Sequence, residues 1–427
     1  MPLKDNVKPV MVKLAMYDRT QGIYKSKPQL FTLKNTLTGP QLTTGAVIKT
    51  ANNKVSFAIQ AFDQISGSAN RDGIYTAELF VDNKLQIKYL MDSVGYDETR
   101  YMNAHIDYTL DFNGGVYLQH LSRLPGNLSS VYHPREADGV VYLNDTEVHD
   151  ARVVIHDAYG NSSTLNFKIQ YDPTLSKPVP VSSVSQAFIP NYVNILEKPD
   201  FEVYMKEDAL YDTAFSFYYK TTPSGTNAVT AMHQLNEPSV PLHSAITIRL
   251  KPERAIPEEW KSKLIIERTF RGSRTVRKAN WQDGWMAAEF SDFGFYRGYV
   301  DLEPPVVPGI GSGDTVNLSG KTSIAFTPTD NFGIKSFRAE LNGEWIRFTN
   351  DKARTWIYKF DERCPYGVHH LRVRVEDLAG NITIKEWWFK RSAYTPPVKK
   401  APVKKATSTK KPVAKKTTVK KPVAKKK

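Results

Sequence analysis

Residues 148–161 read VHDARVVIHDAYGN, and residues 368–381 read VHHLRVRVEDLAGN. The two stretches align without a gap and share seven of fourteen residues. Apolar residues alternate with polar ones in each, which is the period-two pattern of a half-buried strand. The chain then reaches Asp-x-x-Gly-Asn, where Asp can accept hydrogen bonds from backbone amides and Gly and Asn tolerate a left-handed conformation. Because a second alternating strand follows at 163–171 and at 383–389, each copy is predicted to be a β-hairpin.

The duplication extends beyond this hairpin. Each copy has a proline-bearing opening segment, then an acidic turn residue that closes an alternating strand, then a strand that begins Gly-Ile. These features lie at 5–10, Asp63 and 73–83 in the first copy and at 301–306, Asp330 and 333–343 in the second. The order of strands and turns is that of an immunoglobulin-like β-sandwich, so the sequence predicts two of them.

The whole chain of 427 residues is predicted to be all-β, because it is rich in tyrosine and proline and has no long runs of Ala, Leu and Glu. The first copy is longer than the second, with extra residues before Val55 and between about 86 and 140, and such insertions often carry function. The predicted divisions are an immunoglobulin-like sandwich with insertions at 1–172, a β-rich middle domain of a different type at 173–302, a second immunoglobulin-like sandwich at 303–391 and a disordered basic tail at 392–427.

The net charge of +14 belongs to the C-terminal tail. Thirteen lysines and no acidic residue lie between positions 399 and 427, and without them the chain is nearly neutral. The tail has no aromatic residue and nothing to bury, so we expect it to be extended and to bind polyanions by counterion release. The partner could be nucleic acid or an anionic polymer of the cell envelope. The lysines are Lys399, Lys400, Lys404, Lys405, Lys410, Lys411, Lys415, Lys416, Lys420, Lys421, Lys425, Lys426 and Lys427.

Motifs for catalysis are missing from the sequence. It contains no H-E-x-x-H, no H-x-H, no P-loop and no Gly-x-Ser-x-Gly. Its one cysteine, Cys364, excludes an internal disulfide and a cysteine-based zinc cluster. The acidic stretch 138–150 lacks the spacing of an EF-hand calcium loop and is interpreted as a surface loop.

The richest polar cluster lies in the insertion of the first copy. His105 and Asp107 are predicted to share one face of a strand, close to Asp97, Glu98 and Arg100. This cluster could be a structural polar network or a site for a ligand or ion. A second possibility for ligand binding is stacking of sugars on exposed aromatic side chains, for which the candidates are Trp281, Trp285, Trp387 and Trp388.

Three long segments of the chain resemble a known family. Residues 4–19, 96–108 and 188–201 are similar to the C-terminal, non-catalytic region of exported murein peptidases of Bacteroidota, which belong to the lysostaphin-type (LytM-like) zinc metallopeptidases. The similarity covers about residues 4–391 and leaves out only the lysine tail.

The resemblance implies a catalytic zinc domain N-terminal to such a region, with a His-x-x-x-Asp ligand pair and a His-x-His element. Neither occurs in this sequence. Catalytic and metal-binding residues of the family therefore have no counterpart here, no cofactor is expected in this chain, and zinc is expected only in the missing peptidase domain. We expect either a truncated gene product or a stand-alone accessory chain, and whether it deserves the name of an enzyme stays open.

These observations lead to two hypotheses for the function. The first is an accessory region that positions or recruits a murein hydrolase in the periplasm or cell envelope, through contacts with an envelope protein or with peptidoglycan. The second is a protein that binds polyanions through its lysine-rich tail. The sequence shows neither a signal peptide nor an apolar run long enough to span a bilayer, so the literal interpretation of its location is cytoplasmic.

Overall fold

The first copy of the repeat folds into two sheets packed face to face. The computed structural model describes residues 5–45, 47–134, 137–175, 186–221, 227–350 and 354–393. In the order in which they pair, one sheet contains Val141–Tyr142, Lys54–Phe62, Val10–Asp18, Gln29–Thr36 and Gly39–Leu42, with Gln119–His120 also pairing with Lys54–Phe62. The other contains Val47–Thr50, Ser162–Tyr171, Val148–His156, Thr76–Val81, Lys84–Leu90 and Tyr132–His133.

The second copy repeats the strand order of that second sheet. Its larger sheet runs Thr315–Asn317, Ile382–Arg391, Gly367–Asp377, Ile334–Leu341 and Glu344–Ile346, and its smaller sheet runs Ser323–Phe326, Trp356–Lys359 and Thr349–Asn350. In both copies the closing hairpin is antiparallel and its last strand pairs in parallel with a short earlier strand. The predicted all-β fold with immunoglobulin-like sandwiches is confirmed.

Between the copies lies a pair of five-stranded sheets with their own core. One contains Asn194–Lys198, Phe201–Met205, Ile246–Leu250, Trp285–Phe290 and Asn280–Gln282, and the other contains Tyr218–Thr221, Met232–Leu235, Gly294–Val300, Leu264–Phe270 and Ser273–Lys278. Ala187–Phe188 pairs with Ala214–Phe215, and Glu258–Lys263 is a 3₁₀ helix. The linker between the first copy and this region lies mainly in 176–185, outside the described residues.

Three large hydrophobic clusters follow the order of the chain. They draw their buried residues from Met11 to Ile169, from Phe188 to Val300 and from Val307 to Phe389. Alternation explains them, since each strand of a sandwich turns every second side chain into the space between the sheets. Two smaller clusters lie between neighbouring regions. One joins the first sandwich to the middle region, and the other joins the middle region to the C-terminal sandwich.

Candidate functional site

The insertion of the first sandwich is helical where a strand was predicted. Residues Tyr96–Tyr101 form a 3₁₀ helix, followed by the short α-helices Met102–His105 and Tyr108–Phe112. His105 ends one helix, and Asp107 caps the next by accepting a hydrogen bond of 2.9 Å from the Leu110 amide. The prediction that His105 and Asp107 share a strand face is therefore wrong. Asp satisfies the free amides at a helix start, which favours a helix over an extended chain here.

The side chains of Glu98 and Arg100 bond to separate partners, and Asp97 lies on the surface. The two carboxylate oxygens of Glu98 accept hydrogen bonds from the Ser130 amide and hydroxyl at 3.0 and 2.8 Å. Arg100 donates to the carbonyl oxygen of Leu242 at 3.0 Å, and Asp97 is exposed. Glu98 and Arg100 fix the insertion against different loops, so the predicted cluster does not converge on one point.

His105 and Asp107 are buried in two different polar networks. The Nδ1 atom of His105 lies 2.9 Å from the hydroxyl of Tyr132, and its ring packs edge-on against Tyr89. Asp107 accepts a hydrogen bond of 2.8 Å from the Tyr17 hydroxyl. Burial lowers the pKa of His105 to about 4, so its imidazole is neutral at neutral pH. No side-chain hydrogen bond among the described residues joins two of the five residues of the predicted cluster.

A cleft of about 410 Å³ opens beside His105, at one end of the first sandwich. The buried Nε2 atom of His105 and the buried Oε1 atom of Gln119 have no hydrogen-bond partner among the described residues. These two atoms could form hydrogen bonds with a polar group bound in the cleft. The lining is Asp63, Ile65, Asp72, Gly73, Ile74, Tyr75, Met91, Met102, His105, Tyr117, Gln119, Ala158 and Tyr159.

The insertion and strand Val10–Asp18 pack against the middle region through a buried junction. Arg19 and Asp212 form an ion pair at 3.1 Å, and both side chains are almost inaccessible to water. Tyr101 stacks on His243 with ring centroids 4.1 Å apart. The hydroxyl of Tyr211 donates to the carbonyl oxygen of Arg100 at 2.5 Å. We call this contact surface the first junction.

A second junction joins the middle region to the C-terminal sandwich. The ammonium groups of Lys263 and Lys278 donate to the carbonyl oxygens of Gly380 and Ala379, at 2.8 and 3.1 Å. Ile265, Val276, Phe332 and Ala379 form a shared apolar cluster around these contacts. Apolar packing and hydrogen bonds therefore hold the middle region against the first sandwich at one junction and against the C-terminal sandwich at the other.

Six aspartates form two compact groups that could hold a metal ion. Within each group, one carboxylate oxygen from each residue lies within 4.8 Å of the others. The groups are Asp5, Asp63 and Asp157 in the first sandwich and Asp301, Asp330 and Asp377 in the C-terminal sandwich. Burial, with smaller contributions from neighbouring carboxylates, raises the pKa of Asp63, Asp301 and Asp330. Sequence reasoning marked these positions as turn and opening residues of the repeat but missed that they meet.

The four tryptophans proposed as sugar platforms divide into two kinds. Trp281 and Trp387 are partly buried against hydrophobic cores. Trp285 lies beside the guanidinium of Arg249, 5.1 Å from its ring centroid, and Trp388 is 53% exposed. Of the four, Trp388 is the most exposed, and its ring centroid lies 4.9 Å from that of His370. Strand alternation turns Trp387 inward and Trp388 outward.

The remaining candidates for chemistry are inert or lie elsewhere. Cys364 is buried, and burial raises the pKa of its thiol, which disfavours the reactive thiolate. The predicted polyanion-binding lysines, from Lys399 to Lys427, lie outside the described residues. Among the described residues, no helix is both long and apolar enough to cross a membrane.

Comparison with family models found a match for one part of the chain. Residues 185–301 match the Zu5-like domain, which is the region of the two five-stranded sheets. Comparison with curated proteins found no match.

Solved structures with similar strands share little sequence with this chain. The fibronectin(III)-like modules of Clostridium thermocellum CbhA are 7% identical over 84% of this chain and 93% of theirs, with a TM-score of 0.15. A Bacteroides ovatus protein from a mixed-linkage glucan utilization locus, solved with a heptasaccharide, is 8% identical over 91% of this chain and 71% of its own, with a TM-score of 0.16. A bacterial ice-binding adhesin is 13% identical over 92% and 99%, with a TM-score of 0.15.

Proposed function

We propose that this chain is a non-catalytic accessory region that positions a murein-cleaving zinc peptidase in the bacterial periplasm or envelope. One observation supports the proposal most directly. Each of the three segments that resemble the C-terminal regions of such peptidases, 4–19, 96–108 and 188–201, contributes a contact to the first junction. Arg19 comes from the first segment, Arg100 and Tyr101 from the second, and Asn191 from the third donates to the Pro125 carbonyl at 3.1 Å.

A fixed junction is what a positioning role requires. Domains connected by free linkers explore many orientations, whereas a buried ion pair, stacked rings and close backbone contact hold one orientation. A peptidase bound to or fused with one end would then meet the cell wall at a constant distance, which raises its effective concentration at the substrate. In this proposal the partner peptidase binds zinc and cleaves murein, and this chain holds that peptidase in a fixed position.

The test is a murein-cleavage assay with labelled sacculi and a separate lysostaphin-type peptidase domain. The chain alone should release no label. Added to the peptidase domain, it should raise the rate of release, and the variant Gly126→Ala should lose that effect because an added Cβ would collide with the backbone of Leu210 at the first junction. Gly73→Ala is the matched control, since a Cβ there meets nothing within 4 Å. An unchanged rate with the unaltered chain contradicts the proposal.

The lysine tail supports a second function, binding of polyanions. Thirteen lysines without one acid give a salt-dependent attraction to phosphate-bearing or carboxylate-bearing polymers. Full-length chain and a 1–393 version should be compared on DNA and on anionic envelope polymer over a salt series. We expect affinity to fall steeply with salt for the full chain and to be lost without the tail. Equal affinity of the two versions would rule out this function.

A further inference from the structure

We propose that the two aspartate groups are calcium-binding sites, one in each immunoglobulin-like sandwich, created by the same internal duplication. We call Asp5, Asp63 and Asp157 the first triad and Asp301, Asp330 and Asp377 the second triad. Members of both triads come from the same places in the repeat: the opening segment, the turn that closes an inner strand, and the Asp-x-x-Gly-Asn turn of the closing hairpin. This inference does not depend on the proposed positioning function.

The closing hairpin holds its aspartate in the same way in both copies. Asp157 accepts hydrogen bonds from the amide and the side-chain nitrogen of Asn161, at 2.8 and 2.6 Å. Asp377 accepts the equivalent bonds from Asn381, at 2.7 and 2.8 Å. Each hairpin therefore delivers a carboxylate in a fixed orientation, and the match across the two copies argues that the arrangement is a built feature of the fold.

In the first triad two buried oxygen atoms lack a partner. Asp5 uses Oδ1 to accept bonds from the amide and hydroxyl of Ser66, at 2.9 and 2.7 Å, while its Oδ2 has none among the described residues. Asp63 leaves Oδ1 unpaired in the same way. The two residues are only 8% and 6% exposed. Buried oxygens with free lone pairs, gathered in one place, are the donors that a cation needs.

In the second triad, Asp301 and Asp330 also use their two carboxylate oxygens differently. Asp301 accepts from Asn331 through Oδ1 at 3.2 Å, and its Oδ2 is buried without a partner although the residue is 0% exposed. Asp330 accepts two bonds through Oδ1, from the amides of Phe332 and Gly333 at 2.8 and 2.7 Å. In Asp301 and Asp330 one oxygen thus fixes the loop and the other accepts no hydrogen bond from the described residues, whereas Asp377 uses both of its oxygens to hold Asn381.

The charge of the triads is not balanced by protein cations. No Lys or Arg among the described residues forms an ion pair with any of the six aspartates. Lys263 and Lys278, which come near the second triad, donate instead to backbone carbonyls. Three carboxylates brought together away from water repel one another, so a bound divalent cation would remove an unfavourable term of the folded state.

The donor atoms favour calcium over other metals. Each triad offers only oxygen, which excludes the nitrogen and sulfur ligands that zinc and copper prefer. Calcium accepts six to eight oxygens at about 2.3–2.6 Å in flexible geometry, and water can complete its shell. Magnesium requires near-octahedral geometry at about 2.0–2.1 Å and rarely uses a site made of several protein carboxylates.

The second triad lies where the middle region meets the C-terminal sandwich. The Asp301 amide donates to the carbonyl of Lys263 at 3.0 Å, and the Asp301 carbonyl accepts from Asn381 at 3.0 Å. A cation held by Asp301, Asp330 and Asp377 would therefore link the segment leaving the Zu5-like region to two turns of the sandwich. We infer that calcium stiffens this second junction.

The test is calcium stoichiometry, measured by equilibrium dialysis of the full chain after removal of metal by a chelator. The unaltered chain should bind two calcium ions. Asp63→Asn and Asp330→Asn should each bind one, and the double variant none. Asp97→Asn and Asp314→Asn, at exposed carboxylates of the same two sandwiches, are matched controls and should bind two. Circular dichroism checks that each variant keeps its β-structure.

Hydrogen exchange gives a readout that does not depend on any variant. Calcium should slow exchange at Phe332 and Gly333, whose amides bond to Asp330, and should raise the midpoint of thermal unfolding by about 10 °C at calcium 100-fold above its dissociation constant. No bound calcium in the unaltered chain, or two ions still bound by the double variant, overturns the proposal. Equal occupancy by magnesium at the same concentration overturns the assignment to calcium.

Discussion

At the scale of single residues, the buried ion pair of Arg19 and Asp212 stabilises the first junction. Asp212 accepts from Arg19 at 3.1 Å and from the Ile23 amide at 3.0 Å. The Nε and Nη1 atoms of Arg19 are buried without a partner among the described residues. Asp212 is therefore the only acid that compensates this buried guanidinium in the described structure.

Replacing Asp212 with Asn should strongly destabilise the junction. The amide keeps the shape but leaves the buried charge of Arg19 uncompensated, which typically costs about 3–5 kcal/mol. Urea unfolding followed by tryptophan fluorescence measures the loss. Lys168→Ala is the control, because it removes a surface pair with Asp150 and should cost less than about 1 kcal/mol. Similar effects of the two substitutions would contradict this account.

Two buried histidines make the first sandwich sensitive to acid. Burial is the main cause that lowers the pKa of His105 to about 4 and of His120 to about 3. The unfolded chain takes up protons at these side chains below about pH 6.5, whereas the folded chain does not until much lower pH. Stability is therefore lost as the pH falls from about 6.5 towards 4.

The variant His105→Gln should flatten this pH dependence. A difference in pKa between about 6.5 and about 4 corresponds to about 3 kcal/mol at one site, so the loss of stability between pH 6.5 and pH 4 should shrink by that order. Urea unfolding at a series of pH values measures it. Asn166→Gln, a change of a non-titrating side chain at an exposed strand position of the same sandwich, should leave the slope unchanged. Equal slopes for His105→Gln and the unaltered chain would refute the prediction.

At the scale of elements, the closing hairpins depend on a glycine in their turns. Gly160 and Gly380 have φ angles of +91° and +88°, a region that costs other L-residues about 1–2 kcal/mol. The sequence predicted this feature, since Asp-x-x-Gly-Asn needs a residue that tolerates the left-handed conformation. The surroundings of the two glycines differ, and the sequence does not contain that information.

Gly160→Ala should cost about 1–2 kcal/mol through backbone conformation alone, because an added Cβ meets nothing within 4 Å. Gly380→Ala should cost more, since its Cβ would lie 3.2 Å from the Lys278 ammonium that bonds to the Ala379 carbonyl. Hydrogen exchange at the amides of Asn161 and Asn381 measures both effects. A larger loss at Gly160 than at Gly380 would contradict the role given to the second junction.

In the insertion of the first sandwich, the prediction of a strand from local sequence was wrong. Alternation of polar residues placed His105 and Asp107 on a strand, but the segment forms short helices packed beneath strands and against the middle region. Isolated helices of four or five residues are not stable by themselves. Tertiary packing of Ala104, Leu118 and Tyr211 supplies the missing stability, and no local pattern reports it.

At the scale of the whole molecule, close backbone approach fixes the first junction. A Cβ at Gly126 would overlap the backbone of Leu210, and one at Gly22 would overlap the carbonyl oxygen of Thr213. Neither contact involves a flexible side chain that could move aside. The two glycines are therefore required for contact between the first sandwich and the middle region.

Gly22→Ala combined with Gly126→Ala should separate the first sandwich from the middle region without unfolding either. We expect faster hydrogen exchange at Gly126, whose amide donates to Tyr211 at 2.8 Å in the unaltered chain, while the core of each sandwich keeps its protection. Gly73→Ala should change neither. Loss of protection throughout both cores would show instead that the two regions fold as one unit.

The sequence by itself determined the strands, the turns and the duplication, because alternation and turn chemistry act between residues a few positions apart. It also excluded the common catalytic motifs. Only the tertiary structure decided which side chains meet. Asp301, Asp330 and Asp377 are separated by tens of residues, and they meet only because the sheets pack and bring their loops together. His105 was assigned to a strand, because the packing that stabilises its short helix comes from distant residues. A linear pattern marks candidate ligands, but their convergence is a property of the packed sandwich.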